Sequence, residues 1–586
     1  MQIKPDSPHR RPCLKISILL FLGGFFIASY SIAQPPLATM GKAFDEQPGT
    51  EVWFRFEARE DSVLKQLSST ISIDFFDPHT RTVIANANPR EFARFLEYDI
   101  SYTLLTAPGN ATDKSQFNML SSVDMANISQ WDFYPTYEAY ESMMQQYEDL
   151  FPDLFEKVEI LTLASGRKII FGRITSNVDE SHDRPRFMYT ATIHGDETTG
   201  FNLMLRMIHY LLNNYDKNDE ITWLLNNLEI WICPNENPDG TYTTDNSTVV
   251  GATRRNVNGI DLNRNYPNPV AMPAEPIQPE TQAMMDLVEQ YQFVMSANIH
   301  GGIECVNYPW DSWLSAEQTH ADHFWWQYVS HEYADTARYY SPDGYMNPQG
   351  PSFQNGVTHG GDWYVVYGSR QDYMNYYAHQ REFTLEISDT KLLPTTLLPA
   401  HWEYNYRALI NYMKQSLYGI QGRITDINSG EPLRAMVSIT GYDKDNSEVF
   451  SSEDHGRFSR PLAQGNYDLV ITAPGYPAKN IPNVSVQNHQ ATWLDIEMGI
   501  YLSAPFSDAQ FTLEFYPNPA SRLVTVTGLN DVETLALYDI RGNLVWEYEV
   551  NNNEFAIDVS VLPPAVYILK AISPMGVAGS RLIVKP

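Results

Sequence analysis

Three residues in the middle of the chain have the types and spacing of a metal site. His194 and Glu197 lie three residues apart in IHGDE, after an apolar run from Arg186 to Ile193 that predicts a buried strand. His300 ends a second apolar run, FVMSANIH. Two histidines and one carboxylate form a catalytic zinc set, which leaves one coordination position open for water. We therefore predict one Zn²⁺ bound by His194, Glu197 and His300.

A third apolar segment supplies a candidate proton carrier. In REFTLEIS, Glu386 lies on the same strand face as Thr384. Such a carboxylate can have a purely structural role, paired with a buried arginine. It can also take and return the proton of a metal-bound water, whose pKa zinc lowers to about 7. We expect Glu386 to be the general base and acid.

Arginine and amide side chains follow a fourth predicted strand, WIC, and its turn, PNENPDG. The segment TRRNVNGIDLNRNYP contains Arg254, Asn263 and Arg264. Arginine binds carboxylates in a bidentate manner, and Arg254 could polarise a carbonyl group. Each arginine could equally brace a surface loop, and the residue types alone leave that alternative open.

The order of these motifs resembles that of a known family. HGDE, NPDG, R-x-N-x-x-G-x-DLNRNYP, IHGG…NYPWD, NG-x-x-x-GGDWY and QDY…FTLEIS follow one another over residues 125–418. This order resembles the zinc metallocarboxypeptidases of the M14 type. It is closer to the regulatory carboxypeptidase E/D/N branch than to the pancreatic digestive branch.

The resemblance implies roles for the remaining polar residues. It gives His194, Glu197, His300 and Glu386 the zinc and base roles stated above. Arg254 would stabilise the oxyanion, and Asn263 and Arg264 would bind the terminal carboxylate of the substrate. Tyr364, in DWY, matches the mobile tyrosine that closes over the substrate in the family.

Two further residues match the specificity pocket of the E/D/N branch. Asp311, in NYPWD, matches the acidic residue that selects basic C-terminal side chains, and Gln371 matches that branch's pocket glutamine. Alternatively, Asp311 could be the N-cap of a helix formed by DSWLSAEQTH. The usual GGMQD-F-N-Y reads GSRQDYMNY here, with one extra residue and with Arg370 near the pocket.

Charge and length limit the class of protein. The 586 residues include 71 acidic and 40 basic side chains, a net charge of −31. This balance argues against a nucleic-acid partner and favours solubility outside a cell. A chain of this length should form several domains.

The N-terminus predicts export. Basic residues precede an apolar run from Ile16 to Ile32, and a small-residue cleavage site follows, so residues 1–33 read as a signal peptide. No later stretch has the length of a membrane span, so we expect no transmembrane anchor in the mature chain. Cys233 and Cys305 lie in apolar segments, which favours two buried thiols over a disulfide.

The pattern before the central motifs predicts a small α/β module with a linker, residues 34–122. EVWFRF reads as a strand, DSVLKQLSST as a helix, and TVIANANPREFARFLEYDISYTLL as strand, helix and strand. The module could be an inhibitory propiece or a structural cap, and we interpret it as propiece-like. The central domain is then expected at residues 123–418.

Two all-β segments follow. Residues 419–500 show short strands broken by Gly, Pro, Asn and Asp, and they resemble the transthyretin-like domain that follows the catalytic domain in carboxypeptidases E and D. In residues 510–586, YPNP, LYDIRG and LPPAVYILK resemble the sorting domain of the type IX secretion system of the Bacteroidetes. That resemblance implies recognition by the secretion machinery, passage through the periplasm, and release or surface attachment. An unrelated adhesive β-sandwich is the alternative.

The expected fold is therefore an α/β, mixed-sheet zinc carboxypeptidase domain between a small N-terminal α/β module and two C-terminal β-sandwich domains. The expected function is hydrolysis of C-terminal peptide bonds, with release of Lys or Arg. A preference for apolar or cell-wall peptides is one alternative, and a non-catalytic peptide-binding protein on the same fold is another.

Overall fold

A computed structural model describes residues 51–110, 113–499, 513–529, 532–540, 542–550, 553–573 and 576–585. The predicted signal peptide lies outside the described residues. None of the helices in the described part combines the length and the apolar character needed to cross a bilayer.

The N-terminal module is a four-stranded antiparallel sheet with two helices. Its elements are β1 (Val52–Glu57), α1 (Asp61–Leu67), β2 (Ser72–Asp77), β3 (Thr82–Ala87), α2 (Pro89–Leu96) and β4 (Tyr102–Leu105). The strand order is β2-β3-β1-β4. The sequence interpretation missed β2, although SIDFFD contains the β-branched and aromatic residues that favour strands.

The central domain is built on an eight-stranded mixed sheet. A short two-stranded pair, β5 (Met119–Leu120) and β6 (Tyr134–Pro135), precedes it. The sheet strands are β7 (Phe155–Thr162), β8 (Lys168–Ile174), β9 (Arg186–Ala191), β10 (Glu229–Cys233), β11 (Met295–His300), β12 (Ile303–Tyr308), β13 (Val357–His359) and β14 (Arg381–Ser388). Their order is β13-β12-β14-β11-β9-β10-β8-β7, and β10, β9, β11 and β14 run parallel.

Helices surround this sheet, and apolar side chains on both of its faces form buried clusters. The helices are α3 (Tyr137–Leu150), α4 (Thr199–Asn214), α5 (Asp219–Asn227), α6 (Pro238–Thr241), α7 (Pro279–Tyr291), α8 (His323–Tyr339), α9 (Gly360–Trp363), α10 (Arg370–Tyr376) and α11 (Leu398–Gln415). Burial on both faces explains why the parallel strands read as continuous apolar runs.

Two β-sandwiches complete the described chain. The first contains β15 (Gly419–Asp426), β16 (Met436–Ile439), β17 (Val449–Phe450), β18 (Arg457–Arg460), β19 (Gly465–Thr472), β20 (Lys479–Val486) and β21 (Ala491–Met498). The second contains β22 (Glu514–Tyr516), β23 (Leu523–Thr527), β24 (Thr534–Asp539), β25 (Leu544–Glu549), β26 (Glu554–Asp558), β27 (Ala565–Ser573) and β28 (Gly576–Val584). Each consists of a three-stranded and a four-stranded sheet. The predicted fold class is confirmed.

Candidate active site

The candidate site lies where three parallel strands end. His194 follows β9, His300 is the last residue of β11, and Glu386 in β14 pairs directly with His300. The carboxyl ends of parallel strands meet at one edge of a sheet, which brings these side chains together. Gly195 allows the turn after β9, because a Cβ atom there would lie 2.2 Å from the carbonyl carbon of Gly240.

His194, Glu197 and His300 form a compact, buried cluster. Each offers one ligand atom within 4.8 Å of the other two. The Nδ1 atom of His300 lies 2.8 Å from Glu197 Oε2 and 3.0 Å from His194 Nδ1, and His194 Nδ1 lies 3.0 Å from Glu197 Oε1. Zinc bonds of about 2.0–2.1 Å in a tetrahedron place ligand atoms roughly 3.3 Å apart. The donor set and its spacing therefore fit a zinc ion.

Asp261 holds the first histidine of the cluster and was missed by the sequence interpretation. Its Oδ1 atom lies 3.1 Å from His194 Nε2, while its Oδ2 atom accepts hydrogen bonds from Arg254 Nε at 2.9 Å and Ser72 Oγ at 2.7 Å. A carboxylate on the second ring nitrogen fixes the tautomer and orientation of a metal-binding histidine. The sequence offered one indication of this role, since Asp261 lies two residues before Asn263 in the motif DLNRN.

Glu386 lines the same cavity as the three-residue cluster. Its Oε2 atom is buried and has no hydrogen-bond partner in the described structure. Burial, followed by the negative charge of Glu197, raises the pKa of Glu386 well above its usual value. The structural alternative, a pair with a buried arginine, has no support because no ion pair to Glu386 is present among the described residues.

Arg254, Asn263 and Arg264 also line this cavity, whose volume is about 40 Å³. Arg254 Nη1 lies 3.5 Å from Glu197 Oε1, so its guanidinium is next to the metal-type cluster. Arg264 donates to the backbone oxygens of Asn263 at 2.9 Å and Ile73 at 3.3 Å, and its Nε is buried without a partner. The three residues are thus placed together, with one guanidinium donor unsatisfied.

The N-terminal module contributes a carboxylate to this cavity, which the sequence interpretation did not foresee. Asp74 in β2 lies 2.7 Å from Lys391 Nζ and 3.2 Å from Arg254 Nη1. Lys391, also missed, lies 2.6 Å from Glu197 Oε1. Nothing in SIDFFD distinguishes Asp74 as a site residue, because the contact depends on how two domains pack.

Asp311 lines the cavity and is almost fully buried. Its Oδ1 atom accepts hydrogen bonds from Gln371 Nε2 at 3.0 Å and Asn307 Nδ2 at 3.1 Å. Burial raises the pKa of Asp311. The helix-cap alternative is wrong, because residues 311–320 form bends and turns rather than a helix.

The loop that carries Asp311 is held by a second buried carboxylate. Asp372 accepts hydrogen bonds from the backbone amides of Asp311 at 2.9 Å and Ser312 at 3.0 Å. Burial, and then the nearby Asp311, raises the pKa of Asp372 to about 8. Gln371 donates a hydrogen bond to Asp311 but does not itself line the cavity.

The structure places Arg370 differently from the sequence interpretation. It was expected near the pocket, but its buried side chain forms ion pairs with Glu236 at 2.7 Å and Glu382 at 2.9 Å. A pair of carboxylates in the interior neutralises the guanidinium, so it does not line the cavity. Tyr364 does line the cavity, and its ring also packs against the apolar core of the N-terminal module.

Cys233 and Cys305 are both buried free thiols, which confirms the expectation that they form no disulfide. Burial raises the pKa of each thiol well above its usual value, so both are inert at neutral pH.

Comparison with protein families gives three matches along the chain. Residues 140–408 match the zinc carboxypeptidase family, residues 419–499 match the carboxypeptidase regulatory-like domain, and residues 514–585 match the secretion system C-terminal sorting domain.

Individual relatives agree with the first match. The chain is 35% identical to carboxypeptidase M of Mus musculus over 300 residues, which are 50% of this chain and 67% of that protein. It is 31% identical to carboxypeptidase D of Mus musculus over 371 residues, 61% of this chain but only 26% of the relative. The chain thus spans about a quarter of the length of the carboxypeptidase D relatives. The structure of carboxypeptidase A from Helicoverpa armigera aligns at 15% identity with a TM-score of 0.48, over 62% of this chain and 97% of that one.

Proposed function

This chain belongs to the zinc carboxypeptidase family, and on that premise we propose that it is an exported metallocarboxypeptidase that hydrolyses the C-terminal peptide bond of peptides and proteins. The observation that carries the proposal is the single cavity shared by His194, Glu197, His300 and Glu386. A non-catalytic peptide-binding protein on this fold would have no need for a complete metal cluster beside a buried, unpaired carboxylate.

In this proposal His194, Glu197 and His300 hold one zinc ion, and Asp261 orients His194. The ion, when bound, polarises the scissile carbonyl and lowers the pKa of a bound water. Glu386 removes a proton from the attacking water and returns it to the leaving amine. Its raised pKa supports the first step, because a raised pKa makes the carboxylate a stronger base, and the proton it gains is then available to the leaving amine.

The arginines of the cavity have separate proposed roles. Arg254, next to Glu197, stabilises the negative charge that develops on the carbonyl oxygen. Arg264 and Asn263 bind the terminal carboxylate of the substrate, and the unsatisfied Nε of Arg264 supports this assignment. Tyr364, which lines the cavity, closes over the bound residue.

We propose a preference for C-terminal Lys and Arg. Asp311 is a buried carboxylate in the cavity, with hydrogen bonds from two amides but no ion pair among the described residues. A substrate guanidinium or ammonium would supply the missing charge, whereas an apolar side chain would leave Asp311 uncompensated. A preference for apolar or cell-wall peptides remains the second candidate, and the presence of Asp311 disfavours it.

The test is a panel of short peptides that end in Arg, Lys, Leu, Phe or Glu, each as the free acid and as the amide. The proposal predicts release of one residue from free acids only, fastest for Arg and Lys. Equal cleavage of amides would remove the roles of Asn263 and Arg264. Faster cleavage of Leu or Phe would overturn the basic preference and leave the carboxypeptidase assignment intact.

We also propose that the N-terminal module is an inhibitory propiece rather than only a structural cap. Asp74 places a carboxylate against the cationic side chains of Arg254 and Lys391 inside the catalytic cavity, so with β2 in place the Arg254 guanidinium is not free to stabilise an oxyanion. The module is fixed there by polar contacts, since Arg255 donates to Asn86 at 2.6 Å and to Glu91 at 2.6 Å. Asp74 itself lines the catalytic cavity, so the module occupies part of the space that a substrate would enter.

The C-terminal match supports a proposed route of export. A secretion-system sorting domain at residues 514–585, together with the predicted signal peptide, favours passage through the periplasm and a secreted or surface location. The second β-sandwich would then be the part that the secretion machinery recognises. Expression with and without residues 513–586, followed by assay of the culture medium, tests this route.

A further inference from the structure

A second cavity lies between the central domain and the first β-sandwich. Its volume is about 540 Å³, within the usual range for small-molecule sites, and such sites favour domain interfaces. Arg186 and Arg381, which begin β9 and β14, line it, so it is at the opposite ends of these strands from the candidate active site. Glu386 lies five positions after Arg381 in β14, a distance of about 17 Å along the strand.

The lining of this interdomain cavity is basic, although the whole chain is strongly acidic. Five arginines and three acidic residues line it, in a protein with a net charge of −31. Arg186 is neutralised by Glu229 and Arg381 by Asp322. The remaining arginines, Arg184, Arg434 and Arg457, have no carboxylate partner among the described residues. Counted over the lining residues alone, arginines exceed carboxylates by two.

Two residues that line the cavity each have a buried donor without a hydrogen-bond partner. Arg457 uses one end of its guanidinium for Gln421 Oε1 at 2.5 Å and stacks on Trp493, but its Nε is buried without a hydrogen bond. The hydroxyl of Ser459, two residues along β18 and so on the same strand face, is also buried and unpaired. Buried donors of this kind are normally satisfied. Two unsatisfied donors on one strand face therefore indicate a place for an acceptor group.

The rest of the wall is suited to an apolar body. Phe293 and Tyr373 come from the central domain, and Phe450 comes from the β-sandwich. The Arg434 guanidinium lies over the Phe450 ring at 5.2 Å from its centre, which places a cation beside an aromatic ring in the cavity wall. An inorganic ion would contact only the polar side chains of this cavity and would leave the aromatic ones without a partner.

We propose that the interdomain cavity binds a small organic anion, with a phosphate or carboxylate at Arg457 and Ser459 and an aromatic or apolar portion against Phe293, Tyr373 and Phe450. The ligand would bridge the two domains. This site is separate from the candidate active site and does not depend on the peptidase activity.

Calorimetric titration of the full-length protein with phenyl phosphate, benzoate, inorganic phosphate and benzyl alcohol tests the proposal. Binding of phenyl phosphate or benzoate is expected, with inorganic phosphate at least about tenfold weaker and benzyl alcohol without measurable heat. Arg457→Gln and Ser459→Ala should each weaken binding about tenfold or more, the effect of one lost charge-assisted hydrogen bond. Phenyl phosphate and benzoate then identify which anionic group is preferred.

Controls separate this site from general effects. Arg407→Gln changes an arginine that stacks between Tyr340 and Tyr406 outside the cavity, and it should leave binding unchanged. Ser459→Ala removes a buried hydroxyl without a partner, so its melting temperature without ligand should not fall, which excludes misfolding as the cause. The proposal is overturned if no organic anion binds, or if binding survives both cavity variants. Binding lost only in Arg264→Gln would belong to the active site and would also overturn it.

Discussion

Replacing Asp74 by asparagine should raise the peptidase activity of the intact chain. The Asp74 carboxylate lies 2.7 Å from Lys391 Nζ and 3.2 Å from Arg254 Nη1, and its side chain is only 12% exposed. Asparagine keeps the shape and one acceptor oxygen but removes the charge. The loss of one charge-assisted hydrogen bond lowers the free energy that holds the module in place by about 1.5–3 kcal/mol. That corresponds to a roughly 10- to 150-fold shift towards the form in which the module has moved away.

The assay compares initial rates on a peptide with a C-terminal arginine. If the intact chain is active only when the module opens, its rate should rise by the same factor, until opening no longer limits the rate. A protease site engineered within residues 110–113, followed by chromatographic removal of the cut module, gives the reference state, because cutting there breaks the covalent link between the module and the central domain. The rate of the cut wild type sets the upper limit for the intact Asp74→Asn variant.

Asp77→Asn is the matched control. Asp77 ends the same strand, but among the described residues its carboxylate accepts hydrogen bonds only from His79 and Thr80, within the module. Its substitution should leave the rate unchanged. The reasoning is refuted if the intact wild type is already as active as the cut protein, since the module would then be a structural cap. An equal rise in both variants would show general loosening of the module instead of loss of the Asp74 contacts.

Three further predictions concern the cavity. Asp311→Asn should lower kcat/KM for Arg substrates roughly 10- to 150-fold and leave Leu substrates almost unchanged, because only a cation uses the Asp311 charge; equal losses for both substrates would indicate a structural role. His300→Ala should weaken zinc binding strongly, measured as metal retained after dialysis against a chelator, whereas retention equal to the wild type would remove His300 from the ligand set. Asp372 has a folded pKa of about 8, above its unfolded value, so its contribution to stability is present at low pH and is lost as pH rises towards 8. The melting temperature of Asp372→Asn relative to the wild type should therefore increase between pH 5 and 9, and a constant difference would contradict this.

The sequence was most informative where chemistry and periodicity coincide. The strands before His194 and His300 and around Glu386 are buried on both faces, so their apolar runs could be recognised directly. Their parallel alignment then places the polar residues at one sheet edge. This is why the three predicted zinc ligands and Glu386 lie in one cavity.

The sequence was least informative where a contact depends on the packing of distant segments. Asp74 and Lys391 meet across 317 positions of the chain, and no local pattern distinguishes either residue. The orientation of the Arg370 side chain could not be predicted from the sequence either, because its carboxylate partner Glu236 follows a different strand. Asp261 was accessible in principle, since a metal-binding histidine usually has a carboxylate on its second nitrogen.

The most direct test of the central claim is the zinc content and the turnover of Glu386→Gln beside the wild type, both cut in the 110–113 segment. The account predicts one zinc ion per chain in both proteins, with turnover of a C-terminal arginine peptide reduced about 10²–10⁴-fold in the variant, the usual contribution of a general base. Removal of the metal should abolish the wild-type activity, and added zinc should restore it. Full turnover in Glu386→Gln, or in metal-free wild type, would contradict the assignment of this cavity as a zinc carboxypeptidase site.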